Sequence, residues 1–103
     1  MQGKYYLIVS GQHIPETLDI LYGLGFKWVG GEGFDDCVVR RSLSGCDFVA
    51  IVMTDKLLSW LYDHAYKTIT PTQIEDLEEG GYSEIILDSL LRENKLERIL
   101  GNG

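Results

Sequence analysis

Phe48-Val49-Ala50-Ile51-Val52-Met53 is an unbroken apolar run rich in β-branched residues. A run of that length and composition predicts a strand covered on both faces, and so a central one. Thr54-Asp55-Lys56 follows as a turn, and Leu57 to Tyr62 reads as its hairpin partner, with a short helix as the alternative. Upstream, Tyr5-Tyr6-Leu7-Ile8-Val9 is a second buried strand, ended by Ser10-Gly11.

Between these two strands lies an amphipathic helix. Ile14, Leu18, Leu21 and Tyr22 share one face, Pro15 sits in the first turn, and Glu16 and Asp19 favour the positive end of the helix dipole. Gly23 and Gly25 offer C-cap positions, with Phe26 closing the turn. Phe26 to Val29 then predicts a short strand, ended by the glycines at 30, 31 and 33. Val38-Val39 predicts an edge strand guarded by Arg40-Arg41. Tyr66 to Ile69 predicts a last strand. Thr70 as N-cap, Pro71 and Gln73 spell a capping box for a short helix that ends by Gly80-Gly81. Ser83 is expected to cap a longer helix that buries Leu87 and Leu90 and carries its apolar stripe on to Leu96, Ile99 and Leu100. The sum is one α+β domain over residues 1–103, fraying after Leu100. A small, mainly antiparallel sheet carries one N-terminal and two C-terminal helices on one face.

The charge is uneven. The net is −7 overall, −2 over residues 1–52 and −5 over residues 53–103. That sign repels phosphate, which argues against direct nucleic-acid binding and for a protein partner with a basic surface. No stretch is long and apolar enough for a membrane span, and the first residues lack a signal-peptide core, so the expected place of action is the cytoplasm. Cys37 and Cys46 are accordingly expected as free thiols. With two cysteines and two histidines at no ligand spacing, neither a metal nor another cofactor is expected.

Three readings compete for function. The leading one is a non-enzymatic acidic interaction module. Its charge is Glu75, Asp76, Glu78, Glu79 and Asp88, and its anchors are Trp60, Tyr62 and Tyr82. Self-association through the C-terminal helix is a further expectation. The second reading is a small-ligand binder, for instance of a nucleotide, using Gly30, Gly31 and Gly33 with Arg40 and Arg41. Against it, Asp35 and Asp36 put carboxylates where a phosphate would sit. The third is a small enzyme drawing on Asp35, Asp36, Cys37 or His64. A Cys37–His64 pair is conceivable chemistry with no orienting third group, and no residue is assigned a catalytic role.

Leu24-Gly25-Phe26-Lys27-Trp28 with Gly30, followed by the apolar strand and then Tyr66-Lys67-Thr68-Ile69-Thr70 leading into the acidic helix at Gln73–Leu77, resembles small uncharacterised accessory proteins of phages and mobile elements. The resemblance runs from Tyr5 to Leu77. It implies a small protein that acts by binding, such as an inhibitor or modulator of a host nucleic-acid-handling or defence protein. It transfers no site residues.

Overall fold

The computed structural model describes residues 3–30 and 35–92. Its order is β1 (Lys4–Ser10), a 3-10 turn (Gly11–His13), α1 (Ile14–Gly23), β2 (Lys27–Trp28), α2 (Asp36–Ser44), β3 (Phe48–Thr54), β4 (Leu57–Leu61), α3 (Pro71–Glu79) and β5 (Ser83–Glu84). Residues 87–92 are helical. The fold is α+β, and its strands form one sheet in the order β2-β4-β3-β1-β5.

The centre is as expected. β1 and β3 pair antiparallel with Leu7 opposite Ile51, and β3 and β4 pair antiparallel with Ile51 opposite Trp60. The hairpin turn is closed by Asp55 and Lys56, at φ 50° and 68°. Two consecutive left-handed residues match the twist of the flanking strands. Lys56 is held there by a bond from Nζ to the Leu24 carbonyl (3.1 Å), with its ammonium 4.7 Å from the Phe26 ring centre.

The outer strands depart from the antiparallel expectation. β2 runs parallel to β4, and β5 runs parallel to β1, so the sheet is mixed. The cause is connectivity. Each outer strand returns through a helix, β1–α1–β2 and β4–α3–β5, and a helix between two strands brings the chain back in its original direction. These crossovers start from parallel strands and travel in opposite directions across the sheet. Crossovers of the same hand must then lie on opposite faces. α1 and α2 indeed pack over Leu7, Val9, Val49, Ile51 and Met53, while α3 lies over the other face, where its Glu78 accepts a bond from the Tyr6 hydroxyl (2.7 Å). Helices on both faces replace the expected one-sided layer. The helical stretch at 87–92 sends Leu90 into the α1 side.

Both crossover helices stop in the same way. Gly25 (φ 94°) lets its N–H reach the Tyr22 carbonyl and that of Phe26 reach the Leu21 carbonyl. Gly81 (φ 92°) does the same for Glu78 and for Leu77, the latter bonded by the N–H of Tyr82. These paired bonds satisfy the last carbonyls of each helix and turn the chain towards the sheet. At the start of α3 the capping box forms in full, Thr70 accepting from the Gln73 N–H and Gln73 from the Thr70 N–H. Thr70→Ala is expected to cost about 1 kcal/mol in a denaturant melt, and Thr70→Ser to cost a few tenths or less. Equal losses would show that the methyl group, not the cap, matters there.

Three local expectations are corrected. Val38-Val39 lies in α2, not in a strand. The Asp35 carboxylate accepts the N–H groups of Cys37 and Val38 at the helix start, and burial of Val39 and Leu43 one turn apart outweighs the β preference of a valine pair. Residues 66–69 form no strand beyond a single antiparallel bridge, Asp63 to Thr68, because Lys67 takes a left-handed φ of 53° and breaks the run. Ser83 does not cap a helix. The turn at Gly81 lays Ser83-Glu84 along β1, and the helix begins only at residue 87. Leu18, Leu21, Val49, Ile51 and Leu90 are buried as expected, and Tyr22 and Leu87 half-buried. Leu96, Ile99 and Leu100 lie outside the described residues, as does any self-association through them.

Candidate protein-interaction surface

The acidic helix α3 is the most exposed of the three helices α1, α2 and α3. It buries none of its residues fully, and Ile74 and Leu77 are half-buried contacts. Glu75, Asp76, Glu78 and Glu79 are all exposed. Among the described residues none of the four is in an ion pair. Their placement along the helix is unusual. The first turn holds no acid and the last turn no base, so Asp76, Glu78 and Glu79 crowd the end where the helix dipole is already negative. Each carboxylate there works against the helix by about 0.3–1 kcal/mol, discounted by solvent because the groups are exposed.

Glu78 is tied back by the Tyr6 hydroxyl, whose ionisation is pushed up to about 12, first by burial and then by that bond and the Glu78 charge. Tyr82 stands just beyond the helix, half-buried, with the Lys4 ammonium 5.5 Å from its ring centre. Four exposed acids and one half-buried aromatic thus lie on α3 and on the turn that ends it.

The other expected anchors lie elsewhere. Trp60 faces Ile51 across the hairpin and so projects on the α1 side, where it meets Trp28 edge-on with centres 5.3 Å apart. Tyr62 packs against the same core. Asp88 is exposed on the helical stretch whose Leu90 enters that core. None of the three joins the α3 surface.

The residues proposed for a small ligand are also dispersed. Gly30 is exposed just after β2, and Gly31 and Gly33 lie outside the described residues. Arg41 is exposed. Arg40 is fully engaged between α1 and α2. Its Nε reaches Asp36 (2.6 Å), one terminal nitrogen reaches Asp19 (2.6 Å), and the other reaches the Pro15 carbonyl (3.3 Å). Asp36 in turn accepts from the Tyr22 hydroxyl, which accepts from the Trp28 indole N–H. Asp19 and Asp36 hold the Arg40 guanidinium charged beyond its ordinary range. The Tyr22 hydroxyl is pushed up to about 12 by burial and by Asp36. The chain Trp28–Tyr22–Asp36–Arg40–Asp19 clamps the two helices together. The one clue to it in the sequence was the four-residue spacing of Asp36 and Arg40.

Cys37 is exposed on the first turn of α2, and it is Cys46 that comes near His64. Ser42, Cys46, Tyr62, His64 and Lys67 line a pocket of about 140 Å³. Burial pushes the Cys46 thiol up, against the pull of the Tyr62 hydroxyl and the Lys67 charge, a shift opposite to the one that activates a thiol. Both cysteines are free. Asp35 is occupied as the α2 cap.

No protein-family model, curated protein or solved structure matches this chain. Among the described residues no helix is long and apolar enough to cross a membrane.

Proposed function

We propose that the chain is an acidic interaction module that binds a protein with a basic surface through α3 and Tyr82. The observation that carries this reading is the crowding of Asp76, Glu78 and Glu79 at the negative end of α3, with no base in that turn. A solvated face chosen for stability would place acids in the first turn and bases in the last. Glu78 is compensated by the Tyr6 hydroxyl, but Asp76 and Glu79 are not, and a sequence that breaks a local stability rule without local compensation marks a place where another requirement acts. Carboxylates spaced along one exposed helix offer a basic groove what phosphates offer it, which suits a modulator of a host nucleic-acid-handling or defence protein. Tyr82 supplies the apolar contact that charge alone lacks.

The test is a kinetic titration, at two salt concentrations, against the basic partner recovered with the tagged protein. Reversing Glu75, Asp76 and Glu79 to lysine is expected to slow association by about tenfold or more and to flatten its salt dependence. Tyr82→Ala is expected to act mainly on dissociation. Association that keeps its rate and salt slope after charge reversal would reduce the acidic face to a solvated surface.

A further inference from the structure

The outer edge of β1 is covered over only part of its length. β5 pairs with Tyr5 and Tyr6 and no further, and the chain then leaves β1 through Ile85, whose N–H donates to the Tyr6 carbonyl (2.9 Å). Backbone groups along a strand alternate in direction. Since the Tyr6 carbonyl points outward to β5, the backbone groups of Ile8 and Ser10 also point outward, while those of Leu7 and Val9 point to β3. Among the described residues the N–H and C=O of Ile8 and the N–H of Ser10 have no partner. They open into a groove of about 300 Å³, walled by Leu7 to Ser10 on one side and by Ile85 and Leu87 on the other. An open strand edge beside an apolar groove is the geometry of strand addition, in which main-chain bonds give affinity and alternate side chains fill the groove.

From this we infer a second, separate docking site: the β1 edge at Ile8–Ser10 takes an extended, β-branched peptide segment that carries a lysine or arginine. Charge selects the occupant. Glu84 and His13 line the groove, no lysine or arginine does among the described residues, and the chain bears a net −7. A second copy of this chain would bring the same charge and a Glu84 of its own, so a basic segment from another protein fits where a copy is repelled. The contact of α3 with this strand is at Tyr6, on the sheet face opposite to that of Leu7 and Val9, which wall the groove.

Hydrogen exchange by NMR on the whole chain tests the edge first. The amides of Leu7 and Val9 are expected to be protected, and those of Ile8 and Ser10 to exchange at least about tenfold faster. The probe is an eight-residue peptide of alternating valine and threonine with a lysine at each end. It is expected to shift the Ile8, Ser10, Ile85 and Leu87 signals saturably and to slow Ile8 exchange about tenfold. Counterparts with glutamate ends, or with prolines at the two central positions, are expected to bind at least about tenfold more weakly. The Tyr82→Ala variant of the α3 surface, which leaves the net charge at −7, is expected to retain binding, which separates this site from the α3 surface. Protection of Ile8 in the free chain would show the edge already covered. Protection that grows with protein concentration would assign the edge to a second copy. Failure of the lysine-ended peptide to bind, equal binding of the glutamate-ended one, or loss of binding in the Tyr82→Ala variant would each overturn the site.

Discussion

Gly11→Ala is expected to destabilise the fold by about 3 kcal/mol or more. Gly11 is buried at the point where β1 gives way to the 3-10 turn, under the segment that joins α2 to β3. A methyl group there would lie 2.0 Å from the Cys46 carbonyl oxygen and 2.9 Å from that of Ser44. Both obstacles are main chain, so no rotamer change removes them. The left-handed region plays no part at this position, and closeness alone excludes a side chain. Relief requires β1 and the Ser44–Cys46 segment to separate. That breaks the bond from the Gly11 N–H to the Asp47 carbonyl (3.1 Å) and lifts Leu43 and Cys46 out of the core they share with Val49. Gly45→Ala is the control, because its methyl would meet only the Ser42 carbonyl at 3.6 Å, an ordinary contact. It is expected to change stability by less than about 1 kcal/mol. Urea melts of both variants decide the matter, and similar small losses at the two positions would sink the close-approach argument.

The parts of the fold that were legible share a physical trait, a pattern that needs no partner to be read. The apolar run at Phe48–Met53, the face made by Ile14, Leu18 and Leu21, and the Thr70-Pro71-Gln73 box each declare themselves within one turn or one strand. What stayed hidden depends on distant pieces. Two-residue strands such as β2 and β5 carry no period of their own, and their direction follows only from the helix crossovers. The α2 helix was masked by Val38-Val39, whose β preference is a weak local term against an aspartate cap and one buried stripe.

The candidate surface divides along the same line. The acids of α3 could be read from the sequence because a capped helix with a short apolar face must expose the rest. That Trp60 and Tyr62 lie apart from those acids could not be read from β4. Leu57, Leu58, Trp60 and Leu61 are all apolar, so no alternation says which side chains share a face. Only the register of Trp60 against Ile51 sends the indole to the α1 side. The Cys46–Tyr62–His64–Lys67 pocket joins residues separated by a whole hairpin and had no signal in the chain at all.

Raising the pH from 9 to 12 is expected to remove roughly 5 kcal/mol of stability through two tyrosines alone. Tyr6 and Tyr22 both ionise near pH 12 in the folded chain, against 10.0 for an ordinary phenol. The causes are burial first, and then bonds donated to Glu78 and to Asp36. A donor hydroxyl facing a carboxylate resists losing its proton, since the anion would meet another anion at hydrogen-bond distance. Below pH 10 both phenols are protonated in either state, and their contribution is fully present. Between 10 and 12 the unfolded chain gives up these protons while the folded chain keeps them, so unfolding becomes easier as pH rises. Above 12 the contribution is gone. Each tyrosine accounts for roughly 2–3 kcal/mol over that window. Denaturant melts from pH 9 to 12 measure the slope, and tyrosinate absorbance counts the late-titrating groups, to which Tyr62 belongs because burial raises it as well. Tyr6→Phe and Tyr22→Phe are each expected to lower stability at pH 8 by about 1–2 kcal/mol, through the lost hydroxyl bond, and to flatten the alkaline slope. At Tyr22 the change removes two bonds, one donated to Asp36 and one accepted from the Trp28 indole, against one at Tyr6, so Tyr22→Phe is expected to be the costlier of the two. A slope unchanged in both variants would mean that the alkaline transition belongs to the lysines, and that neither hydroxyl is held as a donor to its carboxylate.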